Sequence, residues 1–297
     1  MKKAVWLFET ILFIIFSIPL AIMPLSFSLR VGKMLGLLLF YLWSSRRKIA
    51  IKNINESELI MALVNPESTD RVIRKNFENI GRSFIEIIKI FYGLDKKIIN
   101  SICFDGIENL KVAESKGRGV LFITGHCGNW ELMALLMSVK FKSTAVVARP
   151  LNNSYINKLV EMMRKRYGNR VIYKQGALKA IIKTLKNSGY VGILMDQAVL
   201  ADEGYVIDFL GKGAWTTKMP AVIARKTSAA VIPVFIHRTD GSHMIKLYPE
   251  VELSKNDDKE TAVIEDTKRF SGYIERYIQE HPTEWLWMHR RWKRVSS

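Results

Sequence analysis

Gly119-Val120-Leu121-Phe122-Ile123-Thr124-Gly125-His126-Cys127-Gly128-Asn129-Trp130-Glu131, continued by Leu132-Met133-Ala134-Leu135-Leu136-Met137, is the stretch that decides the fold. Its first six residues form an apolar run that reads as a buried strand, and the segment from Glu131 reads as the opening of a helix. His126 then falls on a strand-to-helix turn, the usual place for catalytic groups in an α/β layer. On one continuous helix, residues at this spacing would point about 140° away from each other. His126 and Glu131 meet only if the first sits in the turn and the second in the first helical turn. Gly125 and Gly128 supply the backbone freedom for so sharp a turn.

The chemistry this arrangement suits is acyl transfer to a hydroxyl. A neutral imidazole takes the proton of an alcohol, and a carboxylate behind it fixes the tautomer and stabilises the imidazolium that forms. No serine or cysteine nucleophile is needed, because the acceptor's own hydroxyl attacks. The following helix start offers free N–H groups and a positive dipole end to a developing oxyanion. The alternative is a buried histidine packed beside a helix-opening glutamate, and a His-x4-Glu match alone does not separate the two.

Outward from the motif, residues 68–92 read as a long amphipathic helix. Helices are also expected over residues 131–139, 154–167, 177–186, 217–226 and 259–280. Strands are expected over 144–148, 171–173, 190–195, 229–238 and 243–253, the last two joined by a turn at Asp240-Gly241, and a short segment over 205–209 precedes the loop at Gly211. Alternating strands and helices imply an α/β fold, a mostly parallel sheet flanked by helices. Arg149 closes a strand on the edge expected for His126, where a guanidinium suits a phosphate. Asp196 follows another strand onto that edge, to orient a basic residue or to serve a structural hydrogen bond. The 211–217 loop, with Gly211 and Thr216, either offers N–H groups to a phosphate or thioester or simply turns before a helix. Asn129 in the motif and Arg166 in the Arg164-Lys165-Arg166 run are further candidate substrate ligands, although a charge run is commonly a solvated face.

The 297-residue chain has a net charge of +17 while 48% of it is hydrophobic. A surface of phosphate-bearing lipid accounts for both properties, whereas no nucleic-acid-binding signature is present. Residues 10–29 carry no charge and are long enough to cross a hydrocarbon core, which takes about 20 residues. Pro19 and Pro24 would kink the segment, leaving a spanning and a half-inserted anchor both open. The run is longer than a usual secretory signal, so a retained anchor is expected. Lys2 and Lys3 precede it and a heavier set of Arg and Lys follows, which favours a cytoplasmic body. Residues 32–43, ending in Tyr41 and Trp43, read as an interfacial helix or an ordinary core helix. The expected division is an anchor with interfacial helix over 1–45 and a catalytic domain over 46–297. Cys103 and Cys127 lack zinc or disulfide spacing, Cys127 is a poor candidate nucleophile, and His237, His243, His281 and His289 show no ligand pattern; no metal or cofactor is expected.

Several blocks occur in a recognisable order. They are His126 to Glu131, Arg149-Pro150-Leu151-Asn152-Asn153, the stretch from Arg164 to Gly168, Asp196-Gln197, Phe209-Leu210-Gly211-Lys212-Gly213-Ala214-Trp215-Thr216-Thr217, and Ala230-Val231-Ile232-Pro233-Val234. A closing block, Pro282-Thr283-Glu284-Trp285-Leu286-Trp287-Met288-His289-Arg290-Arg291-Trp292-Lys293, completes the set, with Glu284 where Gln is expected. Together they resemble the lipid A biosynthesis acyltransferases, a branch of the lysophospholipid acyltransferase superfamily. The resemblance implies transfer of a fatty acyl chain from acyl carrier protein or acyl-coenzyme A to a hydroxyl of a phosphorylated glucosamine lipid at the inner membrane, on its cytoplasmic face. It implies His126 as base, Glu131 as its carboxylate, and Arg149 in the acceptor-binding region. An acidic carrier protein, an anionic glycolipid and the membrane surface are the expected partners. The tail's interleaved Trp285, Trp287, Trp292 and basic residues through Arg294 suit a lipid surface or a packed position on the domain. Acylation of a glycerolipid, aminolipid or phosphatidylinositol mannoside, and a non-catalytic lipid-binding scaffold, are the alternatives.

Overall fold

Two N-terminal helices, α1 (Lys2–Ile22) and α2 (Leu25–Leu42), stand where one apolar segment was expected over residues 10–29. The break falls at Pro24, which has no N–H to continue the helix. Met23 N–H closes the last turn of α1 on Pro19 O, so Pro19 itself is carried within the helix. By length and composition both helices could cross a membrane. Helices α3 (Ser44–Asn55), α4 (Glu58–Met61), α5 (Thr69–Phe91) and α6 (Lys96–Ser101) follow, then β1 (Cys103–Asp105), α7 (Ile107–Ser115), β2 (Val120–Thr124), α8 (Trp130–Lys140), β3 (Thr144–Ala148), α9 (Ser154–Arg166), β4 (Arg170–Tyr173), α10 (Ala177–Lys186) and β5 (Tyr190–Leu194). The chain closes with a hairpin of β6 (Gly204–Phe209) and β7 (Lys212–Thr217), then α11 (Met219–Thr227), β8 (Ala230–Thr239), β9 (Ser242–Leu247) and α12 (Lys259–Glu280). This computed structural model describes every residue except Met1, Asn65, Lys174, Gln175, Arg294, Ser296 and Ser297; Arg294 of the basic tail therefore lies outside the described residues.

The main sheet has the order β1-β9-β8-β2-β5-β3-β4, and of its pairings only β8–β9 is antiparallel. All five side chains of β2 are buried, as befits a central parallel strand covered on both faces. Leu121 and Ile123 enter the core cluster that contains Phe270, Ile274 and Trp285, while Val120 and Phe122 enter the one formed with Leu132, Leu135 and Leu136. Alternate side chains of one strand thus seed two cores, as the pleat dictates. Because β2, β5 and β3 run parallel side by side, the turns after them emerge on one edge. Strand β8 pairs with β2 only as far as Pro233, which cannot donate to a neighbouring strand. Beyond that point β8 keeps β9 on one side and turns its other edge toward the loop that carries His126.

Two expectations fail locally. The 211–217 segment is not a ligand loop but the turn and second strand of the β6–β7 hairpin, paired from Gly204–Thr217 to Phe209–Lys212. The expected strand over 243–253 ends at Leu247.

Helix α2 lies along α5 in the opposite direction, Gly32 meeting Gly81 and Ile85 while Gly36 meets Phe77. The backbones approach so closely that a Cβ on Gly36 would stand 2.1 Å from Phe77 O, and one on Gly81 2.0 Å from Gly32 O. Lys89 Nζ donates to Ala21 O (2.8 Å) and Met23 O (2.6 Å), satisfying carbonyls at the α1–α2 break. The outward side of α2 exposes Leu38, Leu39, Tyr41 and Leu42. Gly81→Val is therefore expected to destabilise the protein by on the order of 3 kcal/mol, because neither backbone can yield without separating the helices. Gly272→Ala, in α12 with open space around it, is expected to stabilise by about 0.5–1 kcal/mol. Denaturant unfolding in mild detergent measures both.

Candidate functional site

His126 lies in the turn between β2 and α8, and the residues around it explain the shape of that turn. Gly128 has φ +54, and a Cβ there would sit 2.2 Å from Ile236 O on the free edge of β8. Only glycine combines that backbone angle with that approach. Asn129 caps α8, its side chain accepting from Leu132 N–H, and donates Nδ2 to Glu86 Oε2 at 2.9 Å. The closing block runs alongside the turn: Gly128 N–H donates to Glu284 O (2.8 Å) and Leu286 N–H to His126 O (3.0 Å).

The carboxylate that holds the imidazole is Asp196, not Glu131. His126 Nδ1 lies 2.8 Å from Asp196 Oδ1, and the His126 backbone N–H donates to Oδ2 at 2.9 Å. Trp285 Nε1 donates to the same Oδ2 at 2.7 Å. Asp196 is 2% exposed. Burial by itself would raise its pKa, but the His126 charge and the hydrogen bonds from His126 and Trp285 hold it well below the usual carboxylate range. An ionised carboxylate only accepts, so Nδ1 carries the proton and Nε2 presents its lone pair. For His126, burial pushes the pKa down, but Asp196 overrides it with a smaller contribution from the Glu131 charge, and the net shift is upward. The Gln197 amide nitrogen lies 3.2 Å from Nε2 and 3.5 Å from Nδ1. Such similar distances put it beside the ring rather than along the Nε2 lone pair. The indole of Trp130 meets the imidazole edge-on, with centroids 5.0 Å apart.

Glu131 is engaged elsewhere: Arg164 reaches it with Nη2 to Oε1 at 2.5 Å and Nε to Oε2 at 3.1 Å. That two-point pair ties the first turn of α8 to the end of α9. Arg149 follows β3 onto the same sheet edge and is exposed. The remaining candidates do structural work. Arg166 donates Nη1 to Phe91 O at the end of α5 (2.9 Å). Gly211 makes the hairpin turn, its N–H on Asp208 Oδ1 (3.2 Å). Thr216 is fully buried and accepts from Arg291 Nη2 at 2.5 Å. Trp285, Trp287 and Trp292 are 1%, 0% and 7% exposed, so the aromatic tail is core beneath the site rather than a lipid-facing surface. Cys127 is buried and its thiol pKa is pushed far up by burial, which removes it as a nucleophile. Among the described residues no group of three His, Cys, Asp or Glu side chains could hold a metal ion.

An apolar groove of about 210 Å³ adjoins Trp130, lined by Ile80, Phe84 and Ile87 of α5 and by Leu286. Trp285 and the Glu131–Arg164 pair are the functional contacts that sequence reasoning did not assign. The order Asp196-Gln197 at the end of a strand was the one available signal for the imidazole's partner.

The family model described as bacterial lipid A biosynthesis acyltransferase matches residues 3–294. The chain is 26% identical over 296 residues to the lipid A biosynthesis lauroyltransferase of Escherichia coli, covering 97% of this chain and 90% of that one. It is 26% identical over 251 residues to the palmitoleoyltransferase of the same organism, covering 84% and 79%. A phosphatidylinositol mannoside acyltransferase of Mycobacterium tuberculosis is 21% identical over 229 residues, covering 75% and 71%. Among solved structures, the 1-acyl-sn-glycerophosphate acyltransferase PlsC of Thermotoga maritima matches with a TM-score of 0.37 and 17% identity, covering 82% of this chain and 96% of that one. With a family match running nearly end to end, and a histidine–carboxylate pair set on the carboxyl edge of its sheet, the chain belongs to the bacterial lipid A biosynthesis acyltransferase family and is an acyltransferase.

Proposed function

We propose that the protein moves a fatty acyl chain from an acyl-carrier-protein thioester to a hydroxyl of a phosphorylated glucosamine lipid, with His126 as general base and Asp196 as the residue that positions it. The observation that carries this reading is the clamped imidazole: its Nδ1 is bound to a buried carboxylate, which leaves Nε2 as the basic nitrogen. The acceptor hydroxyl gives its proton to Nε2 while its oxygen attacks the thioester carbonyl. The tetrahedral intermediate then collapses, the C–S bond breaks, and the imidazolium returns the proton to the leaving thiolate. The free N–H groups at the start of α8 lie in the turn that follows the base and suit the oxyanion. The groove beside Trp130 suits the acyl chain. Arg149, on the same edge, suits a phosphate of the acceptor.

The apolar outward faces of α1 and α2 support attachment to the inner membrane. Helix α3, with Arg46, Arg47, Lys48 and Lys52 and no acidic residue, suits anionic headgroups on the cytoplasmic side. The net charge of +17 favours an acidic carrier protein over a neutral donor through steering. The mannoside acyltransferase among the relatives makes a mannosylated inositol lipid the second acceptor to try.

In membranes supplied with labelled acyl-carrier protein and a Kdo-bearing lipid A precursor, wild type is expected to form labelled product and His126→Ala to lose at least ~100-fold. Undiminished product from that variant would sink the mechanism. A neutral imidazole is the active form, so kcat/KM rises with pH through the His126 pKa, and the raised pKa places that limb above the ordinary histidine value. In Asp196→Asn the charge that overrides burial is gone; the limb is expected to move to lower pH while the maximal rate falls at least ~100-fold. A pH profile of both proteins decides it.

The Glu131–Arg164 pair acts as one unit in this reading. Glu131→Ala and Arg164→Ala are each expected to lower kcat/KM by about tenfold, and the double variant to be no worse than either single. Additive losses across the four proteins would mean that the two residues act separately.

A further inference from the structure

A cavity of about 660 Å³ lies between α2, α5, α6 and the β8–β9 hairpin, on the other side of the Asn79–Glu284 wall from the apolar groove. Both residues line both spaces, so the groove and the chamber are neighbours across a shared wall. Glu284 connects the chamber to the chemistry, since its backbone carbonyl receives the Gly128 N–H at 2.8 Å, two residues from His126.

The chamber's lining is polar and built. Arg238 places Nη1 and Nη2 on the two oxygens of Glu86, at 2.6 and 3.1 Å. Its N–H donates to Glu284 Oε1 at 3.1 Å. Arg82 uses Nη1 on Asn79 Oδ1 at 2.9 Å. One buried atom here, Arg238 Nε, has no hydrogen-bond partner among the described residues, and His243, 3% exposed, sets Nε2 3.4 Å from Glu86 Oε2 without a well-aligned hydrogen bond. An orphaned buried donor is costly, on the order of 1–3 kcal/mol, and a polar occupant of the chamber would relieve it.

Charge decides which occupant fits. Arg238 is neutralised by Glu86, the Arg82 guanidinium feels the charges of Glu78, Glu86 and Glu284, and Asp240 also lines the chamber, so the wall carries no net excess of cations. A phosphate dianion placed here would meet three carboxyl side chains, Glu86, Asp240 and Glu284. Hydroxyl groups meet the wall on better terms, because each donates to a carboxylate or amide oxygen and accepts from a guanidinium or imidazole N–H. The rim points to a lipid: Leu25 and Leu29 line the chamber, and the neighbouring α1–α2 break exposes Ile22 and Phe27, 72% and 52%. An amphiphile with tails along that break would put its headgroup into the chamber.

We infer that this chamber is the subsite for the sugar ring of the glycolipid acceptor, bound through its hydroxyls and distinct from the phosphate position at Arg149. The inference rests on a glycolipid being the acceptor. It makes the α2–α5 face the entry side for the acceptor, and the Asn79–Glu284 wall the point where headgroup and acyl groove meet.

The test uses the full chain in detergent and binding rather than turnover. The probes are the deacylated glucosamine disaccharide with its phosphates, the same disaccharide without them, and inorganic phosphate alone, titrated by calorimetry. Arg82→Ala removes a donor, and Ser101→Trp, at the exposed end of α6, fills the chamber from its rim. Both disaccharides are expected to bind wild type, each variant to weaken both by at least ~10-fold, and inorganic phosphate not to displace the unphosphorylated one. Melting temperatures matching wild type show that the variants fold. Disaccharide binding unaffected by both variants overturns the subsite. So does binding seen only for the phosphorylated disaccharide and reversed by inorganic phosphate, which would make the chamber an anion site. Wild type that binds the sugar here yet transfers no acyl group to the intact glycolipid supports the sugar subsite and removes the acceptor proposed above.

Discussion

The buried carboxylate of Asp196 is the point on which the site depends. An ionised carboxylate withdrawn from water costs several kcal/mol unless charged and hydrogen-bonded partners replace its solvent. Here the replacement comes from three donors on two distant parts of the chain: the His126 ring, the His126 backbone N–H, and the Trp285 indole. Each donor serves a different structural end. The ring bond fixes the tautomer, the backbone bond fixes the turn after β2, and the indole bond anchors the closing block beneath both. Removing any one leaves a buried charge short of a partner, so chemistry and local fold are coupled through one group.

That coupling explains why the tail is inside. The closing block adds a short stretch of pairing, Cys127 opposite Trp285, beside the edge that β8 abandons to the turn after Pro233. The block brings a cost with it, because Arg291 is fully buried and no carboxylate among the described residues pairs with it directly. Burial pulls its pKa down to about 10. It remains a cation held by Trp215 O (2.6 Å), by Thr216 Oγ1, and by the face of the Phe209 ring 4.4 Å away. These contacts fasten the β6–β7 hairpin to the block that supports Asp196, so the hairpin serves the active site from behind.

Much of this was legible in the sequence because it is local. The bounds of β3, α10 and α12 follow from periodicity and caps, with Asp258 accepting from Thr261 N–H at the start of α12. The position of His126 at a strand end followed from one apolar run and two glycines. What failed was contact between distant residues. Glu131 is near His126 in sequence, yet its partner is Arg164, while the imidazole's partner comes from the end of β5, 70 residues away. The composition of the tail is the same for a lipid surface as for a core, and only packing separates the two. Strand β7 was read as a loop because Gly213 and the Thr216-Thr217 pair look like turn chemistry; its pairing with β6 is what makes it a strand.

The α2–α5 contact limits how this chain meets a membrane. With glycines at Gly32, Gly36 and Gly81 the two backbones touch, so α2 moves with α5. Helix α5 carries Asp70, Arg71, Arg74, Lys75 and Arg82, and drawing those charges into hydrocarbon would cost several kcal/mol apiece. However apolar its composition, α2 therefore offers lipid only its outward side, and any lipid contact it makes stays at the surface of the body. The break at Pro24 then becomes the place where apolar chain and polar cleft adjoin: Lys89 ties off the carbonyls on one side, and Leu25 and Leu29 form the lip on the other. In the proposed reading, a substrate with tails in lipid and a hydroxyl bound for His126 has to pass such a boundary, and a helix break fixed by a buried lysine gives it one.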